Sequence, residues 1–157
     1  ARAIKIRFAG KKVLADGCDV TKVIRTPELT KNVVHIARQP LIRHEMVKKQ
    51  RLLGSKDGAV MEGRDIGTVV FPKADYKFYF DADLKTRALR RWRDLKKAGK
   101  PMPLEQVKKE IKVRDLTDKQ RKAGALKVAR GAQVLDTSGL TIPQTTDKIL
   151  RVIGIKR

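Results

Sequence analysis

The stretch from Val60 to Asp83, VMEGRDIGTVVFPKADYKFYFDAD, constrains the fold most, because it sets two short apolar runs around a charged, Gly-containing turn. Ala59-Val60-Met61 and Phe78-Tyr79-Phe80, bounded by Gly58, Gly63, Pro72 and Asp81, predict strands buried on both faces, as in a parallel α/β sheet. The turn Glu62-Gly63-Arg64-Asp65-Ile66-Gly67-Thr68 follows the first run directly. In open α/β sheets ligands bind just beyond the carboxyl ends of strands, so the position suits chemistry. Two glycines let the backbone turn sharply and come close to a ligand. Arg64 offers a planar fork for phosphate or carboxylate, and Asp65 can accept a hydrogen bond from an amino group. A turn carrying a surface ion pair would look the same, and the rest of the chain has to decide between the two.

Residues 4 to 8, IKIRF, alternate apolar with basic, and KKVLADGCDV follows after Ala9-Gly10. The alternation predicts a small antiparallel hairpin with one solvated face. Thr26-Pro27-Glu28 predicts a helix start with Thr26 as N-cap and Pro27 at the first helical position. Pro40 opens a second helix, with Leu41, Ile42, Met46, Val47 and Leu53 loosely on one face; Arg43 lies on it, just after Arg38. A helix from about Leu84 to Ala98 is capped by Asp83, and Trp92 within it reads as a packing residue. Gly99-Lys100-Pro101-Met102-Pro103 is a loop. The charged segment LEQVKKEIKVRDLTDKQRKAG then predicts a helix whose apolar stripe, Leu104, Val107 and Ile111, is thin, as in a mobile lid. Ala132 to Thr137 predicts a third buried strand. Thr141-Ile142-Pro143-Gln144 predicts a capping box opening a helix to about Ile153.

Within the charged segment, Arg114, Asp118 and Arg121 are spaced by four and three, which puts them on one helical face. Intrahelical salt bridging would need no more than that. From Lys85 through Arg130, however, seventeen Lys/Arg stand against five Asp/Glu, a larger excess than salt bridging needs. The whole chain of 157 residues carries a formal charge of +21, a field that attracts nucleotides, RNA or an anionic surface. A generally Lys-rich composition is the plainer reading of that number. One cysteine, Cys18, leaves no intramolecular disulfide, and no Cys/His cluster suggests zinc. No apolar run is long enough to cross a membrane and no signal peptide is visible, so a cytoplasmic protein is expected, with no membrane contact.

Taken together, VMEGRDIGTVVFPKADYKFYFDAD, the RDxxDxxR from Arg114 to Arg121, and LDTSGLTI near the end closely resemble bacterial cytidylate kinase. The resemblance keeps one register from about Ile4 to Ile153, including DVTKVIRTPELTKNV and IARQPLIRHEM. It implies a P-loop nucleoside monophosphate kinase fold of the α/β class, a parallel sheet flanked by helices with a small antiparallel insert and a helical lid. The implied division is residues 1–54 for the monophosphate-binding insert, 55–98 with 128–157 for the core, and 99–127 for the lid. The implied reaction is transfer of the γ-phosphoryl group of ATP to CMP or dCMP with Mg2+. Carried over residue by residue, Arg43 and Asp65 match positions that read cytosine. Arg64 and Arg121 match arginines that hold the acceptor phosphate, and Arg114 and Asp118 match lid residues that reach the ribose and phosphates. Arg64, Arg114 and Arg121 are the implied catalytic group. Fixed guanidinium groups suit a reaction that is mostly positioning and charge stabilisation.

Three departures qualify the match. The Gly-rich P-loop of the family, ending in Gly-Lys and Ser or Thr, has no counterpart in these residues, nor has its first strand, nor a Tyr-Arg segment carrying a further phosphate arginine. The strand would lie between those of residues 59–62 and 77–81, so its place would have to be filled by a preceding segment or another chain, or the sheet rearranged. Val34 stands where the family places a base-contacting serine. The lid ends Lys122-Ala123-Gly124-Ala125-Leu126 in place of Ala-Pro-Leu, which predicts a looser hinge. A second reading competes with the kinase reading: a degenerate kinase fold used as a basic RNA-binding or ribosome-associated protein.

Overall fold

The computed structural model describes residues 3–36, 39–55, 58–121 and 123–155. They form two compact units, Ala1–Met61 and Glu62–Arg157.

The first unit holds a three-stranded antiparallel sheet, β1 (Ile6–Ala9), β2 (Lys12–Ala15) and β3 (Cys18–Asp19), in that spatial order. Ile6 pairs with Ala15 and Ala9 with Lys12, so a two-residue loop closes the hairpin. The loop to β3 is Asp16-Gly17, both at positive φ (50° and 87°), the mirror-image turn whose twist matches that of the strands. Asp16 locks it by accepting from the Lys5 amide at 2.7 Å. The expected hairpin is present, with one more strand than the alternation announced. Helix α1 (Pro27–Ile36) starts at the expected residue, where the Thr26 hydroxyl accepts from the Leu29 amide at 3.4 Å. Helix α2 (Pro40–Gly54) starts at Pro40.

Ala59–Met61 corrects the expectation of a buried strand: it forms no ladder, and Val60 is fully exposed. A strand persists only where a neighbour satisfies its amides and carbonyls, and among the described residues none runs beside this segment.

The second unit is built on two parallel strands, β4 (Phe78–Asp81) and β5 (Gln133–Asp136), paired from Phe78 with Gln133 to Asp81 with Asp136. Both were expected as strands. Burial on both faces was not realised: Phe80 is 54% exposed and Val134 56%. With one partner each among the described residues, the strands have less cover than the interior of a wide sheet. Helix α3 (Leu84–Lys97) begins at Asp83, whose carboxylate accepts from the Thr86 amide at 2.8 Å and hydroxyl at 2.7 Å. Those bonds, the hydroxyl's foremost, hold the Asp83 carboxyl below its ordinary value. Helix α4 (Leu104–Gln120) packs on α3, with Val107 buried. Helix α5 (Ile142–Val152) opens with the expected capping box, Thr141 accepting from the Gln144 amide and Gln144 from the Thr141 amide. The core is small, with Val70, Ala82, Ala88, Val107 and Ala129 its buried apolar residues among those described. Trp92 is half-buried, with the Lys96 ammonium 5.5 Å from its ring centre, which agrees with a packing role.

Candidate anion site at the end of α4

The Gly-Arg-Asp turn runs directly into a π-helical turn, Ile66–Val70, which the sequence pattern did not announce. The Asp65 carbonyl accepts from the Val69 amide at 2.8 Å, and Val70 at the end of the turn is buried. Neither Gly63 nor Gly67 has positive φ, so their purpose is not a left-handed bend. A Cβ on Gly63 would sit 2.8 Å from Ile66 Cγ1, and one on Gly67 would sit 3.1 Å from the Ala129 Cβ. The glycines therefore permit close packing of the turn on itself and on Ala129.

Arg64 meets α4 there. Its Nε lies 3.0 Å from Asp118 Oδ2, the Arg121 Nη2 lies 2.6 Å from Oδ1, and the Arg114 Nε lies 3.9 Å from Oδ2. Asp118 is only 1% exposed, an unusual place for a carboxylate, and a buried charge of this kind persists only if paired. These contacts are close in distance and off-line in angle, since neither Asp118 oxygen accepts a well-directed hydrogen bond. Asp118 thus holds the guanidiniums by charge and leaves much of their donor capacity unspent. The Arg121 Nε is buried with no hydrogen-bond partner. Three guanidiniums around one carboxylate leave two positive charges uncompensated, an arrangement suited to a bound anion.

Arg64, Arg114, Asp118 and Arg121 are therefore brought together, though not from one helical face. Arg121 is not on the helical face: α4 ends at Gln120, and Arg121 has extended backbone (φ −58°, ψ 131°) from which its side chain turns back to Asp118. The chain returns behind it, the Leu126 amide donating to the Asp118 carbonyl at 2.9 Å. Gly124 in that return has positive φ, and Lys122 lies outside the described residues. Asp65 is half-buried beside Arg64. Arg43 belongs to the first unit, in the first turn of α2, and the side chain of Val34 lies outside the described residues.

Two arginines of α3 have places that the sequence did not reveal. The Arg87 Nε donates to the Ala82 carbonyl at 2.9 Å and its Nη1 to Asp115 Oδ2 at 2.6 Å. Arg90 donates to Thr137 Oγ1 at 3.1 Å and to the Thr137 and Leu140 carbonyls at 2.5 and 3.1 Å, pinning the loop after β5. Contacts between elements distant in sequence leave no periodic trace. An open cleft of about 300 Å³ beside Arg90 is lined also by Thr86, Arg93, Ser138 and Thr141. Among the described residues no group of three or more His, Cys, Asp or Glu is placed to hold a metal ion, and no helix is long and apolar enough to cross a membrane.

Fold and site define a mixed α/β protein in which a small antiparallel sheet accompanies a parallel pair, with arginines gathered on a buried carboxylate at the end of a helix. The sequence matches the family described as cytidylate kinase over residues 1–154. It is 43% identical over 148 residues to the cytidylate kinase of Desulfitobacterium hafniense (strain Y51), covering 94% of this chain and 64% of that protein. It is 44% identical over 151 residues to the cytidylate kinase of Desulforamulus reducens, covering 95% and 68%. The bifunctional pantoate ligase/cytidylate kinase of Synechococcus sp. (strain JA-2-3B'a(2-13)) is 43% identical over 139 residues, 88% of this chain and 26% of that protein. The chain belongs to the cytidylate kinase family. It spans about two thirds of the length of the single-function relatives it matches.

Proposed function

We propose that this chain carries the acceptor-binding part of a (d)CMP kinase, which transfers the γ-phosphoryl group of ATP to CMP or dCMP on a P-loop kinase fold. The observation that carries the reading is the arginine cluster on Asp118, with its two uncompensated charges and the buried, unpartnered Nε of Arg121. In this reading Arg64 and Arg121 grip the acceptor phosphate and Arg114 reaches over it. Asp118, being buried, acts from behind by holding the guanidiniums in place. Asp65 and Arg43 read the cytosine, Asp65 by accepting from the exocyclic amine. Residues 1–54 serve as the monophosphate-binding insert and 99–127 as the lid. ATP and Mg2+ are the implied co-reactants. The 157 residues contain no Gly-rich phosphate loop of the usual pattern.

The test is calorimetric titration with CMP, UMP and ATP. CMP is expected to bind more tightly than UMP. Asp65→Asn, whose amide presents a donor as well as an acceptor, is expected to erase about tenfold of that preference. Equal response of CMP and UMP to the change would remove Asp65 as the base reader, and equal binding of CMP and UMP by the unaltered chain would remove the functional reading.

A second reading, binding of the RNA backbone, is favoured by where the charge lies. All the net charge of the second unit falls in residues 85–130, the remainder carrying seven Lys/Arg and seven Asp/Glu. Lys85, Arg91, Lys97, Lys109 and Lys112 are outside the ion pairs of the described residues. RNA affinity that falls linearly with salt on a log-log plot supports this reading; affinity insensitive to salt removes it.

A further inference from the structure

We propose that Arg87 and Asp115 form a latch that positions the arginines at the end of α4 for the phosphate of a nucleoside monophosphate, a proposal that rests on the CMP-binding reading above. Neither residue belongs to the cluster on Asp118. The Arg87 fork joins three elements: it stands on α3, donates from Nε to the Ala82 carbonyl just past β4, and donates from Nη1 to Asp115 on α4. Asp115 precedes Asp118 by three residues, so both lie on the same side of the helix. That side of α4 is held at successive positions, by Arg87 through Asp115 and by Arg64 through Asp118.

Charge is what holds this end of the helix. Val107, the one buried apolar residue among those described on α4, lies two turns before Asp115, while Val113 and Leu116 are 59% and 57% exposed. Beyond Val107 the only half-buried apolar residue among those described on α4 is Ile111, a turn before Asp115, so the direction of Arg114 and Arg121 depends on ion pairs. Lysine at position 87 would supply one point charge, which cannot serve the Ala82 carbonyl and Asp115 with two parallel donors. The expected loss on removing the latch is therefore one of pre-organisation, felt by the phosphate alone.

The test compares CMP with cytidine, which lacks the phosphate, on the full chain and on Arg87→Met, Arg87→Lys and Asp115→Asn, together with hydrogen exchange of the amides of residues 115–120. Arg87→Met and Asp115→Asn are each expected to weaken CMP binding by about tenfold. Cytidine binding stays unchanged, the double variant is no worse than either single one, and Arg87→Lys falls between. Exchange at 115–120 is expected to quicken in Arg87→Met without ligand. Equal weakening of CMP and cytidine would make the pair a general packing contact and overturn the proposal, as would unchanged exchange. Should the unaltered chain bind cytidine as tightly as CMP, the functional reading fails, and quickened exchange would then mark Arg87 as a packing residue only, which also overturns the latch.

Discussion

Asp118 has the least freedom of any side chain in the candidate site. It is 1% exposed, and Arg64, Arg114 and Arg121 surround it. Asp118→Asn would keep the shape and remove the charge, leaving three guanidiniums to repel one another. The expected loss is about 3 kcal/mol of unfolding free energy, the scale for breaking a buried pair, read as a lower urea midpoint with unchanged slope. Addition of an anion such as pyrophosphate should restore part of that loss in the variant. A midpoint equal to that of the unaltered chain would show that the carboxylate does not hold the cluster together.

Among the elements, α3 is the one whose two ends do different work. Its N-terminus is set by Asp83, and its body presents Arg87 and Arg90 inward to other elements and Lys85, Arg91 and Lys97 outward. The Asp83 carboxyl is lowered by its bonds to Thr86, so it gives up its proton more readily folded than unfolded. Its stabilising effect is therefore complete above its ordinary value of 3.8 and is lost as pH falls through the lower folded value. Asp83→Asn keeps an acceptor at the cap without the titration. The variant should match the unaltered chain in helical circular dichroism at neutral pH and lose helix less steeply below pH 3.8. A parallel acid transition in the two proteins would assign it to other carboxylates.

Across the whole molecule charge dominates. Residues 1–61 hold fourteen Lys/Arg against five Asp/Glu, and the second unit adds the excess confined to 85–130. Such an imbalance weakens the folded state through self-repulsion, which salt screens. Stability against urea should accordingly rise as KCl is raised from low to moderate concentration, opposite to what surface ion pairs alone would give. A midpoint that falls with salt would mean that attractive pairs such as Lys108 with Glu105 outweigh the repulsion.

Much of this protein was legible in its amino-acid order because it is governed by near neighbours. The first hairpin, the Pro27 and Pro40 helix starts, the Asp83 cap and the Thr141 capping box depend on groups within a few residues of one another, and local rules find them. The motifs also named Arg64, Arg114, Asp118 and Arg121, together with Arg43 and Asp65, as candidate site residues. Tertiary structure decided what distance along the chain conceals. It left Ala59–Met61 without a partner, half-exposed the paired strands, and turned the Gly-Arg-Asp segment into a π-helical turn seated on Ala129. It also drew Asp118 into the interior as the centre of the arginines and gave Arg87 to Asp115, because burial and ion pairing act through space.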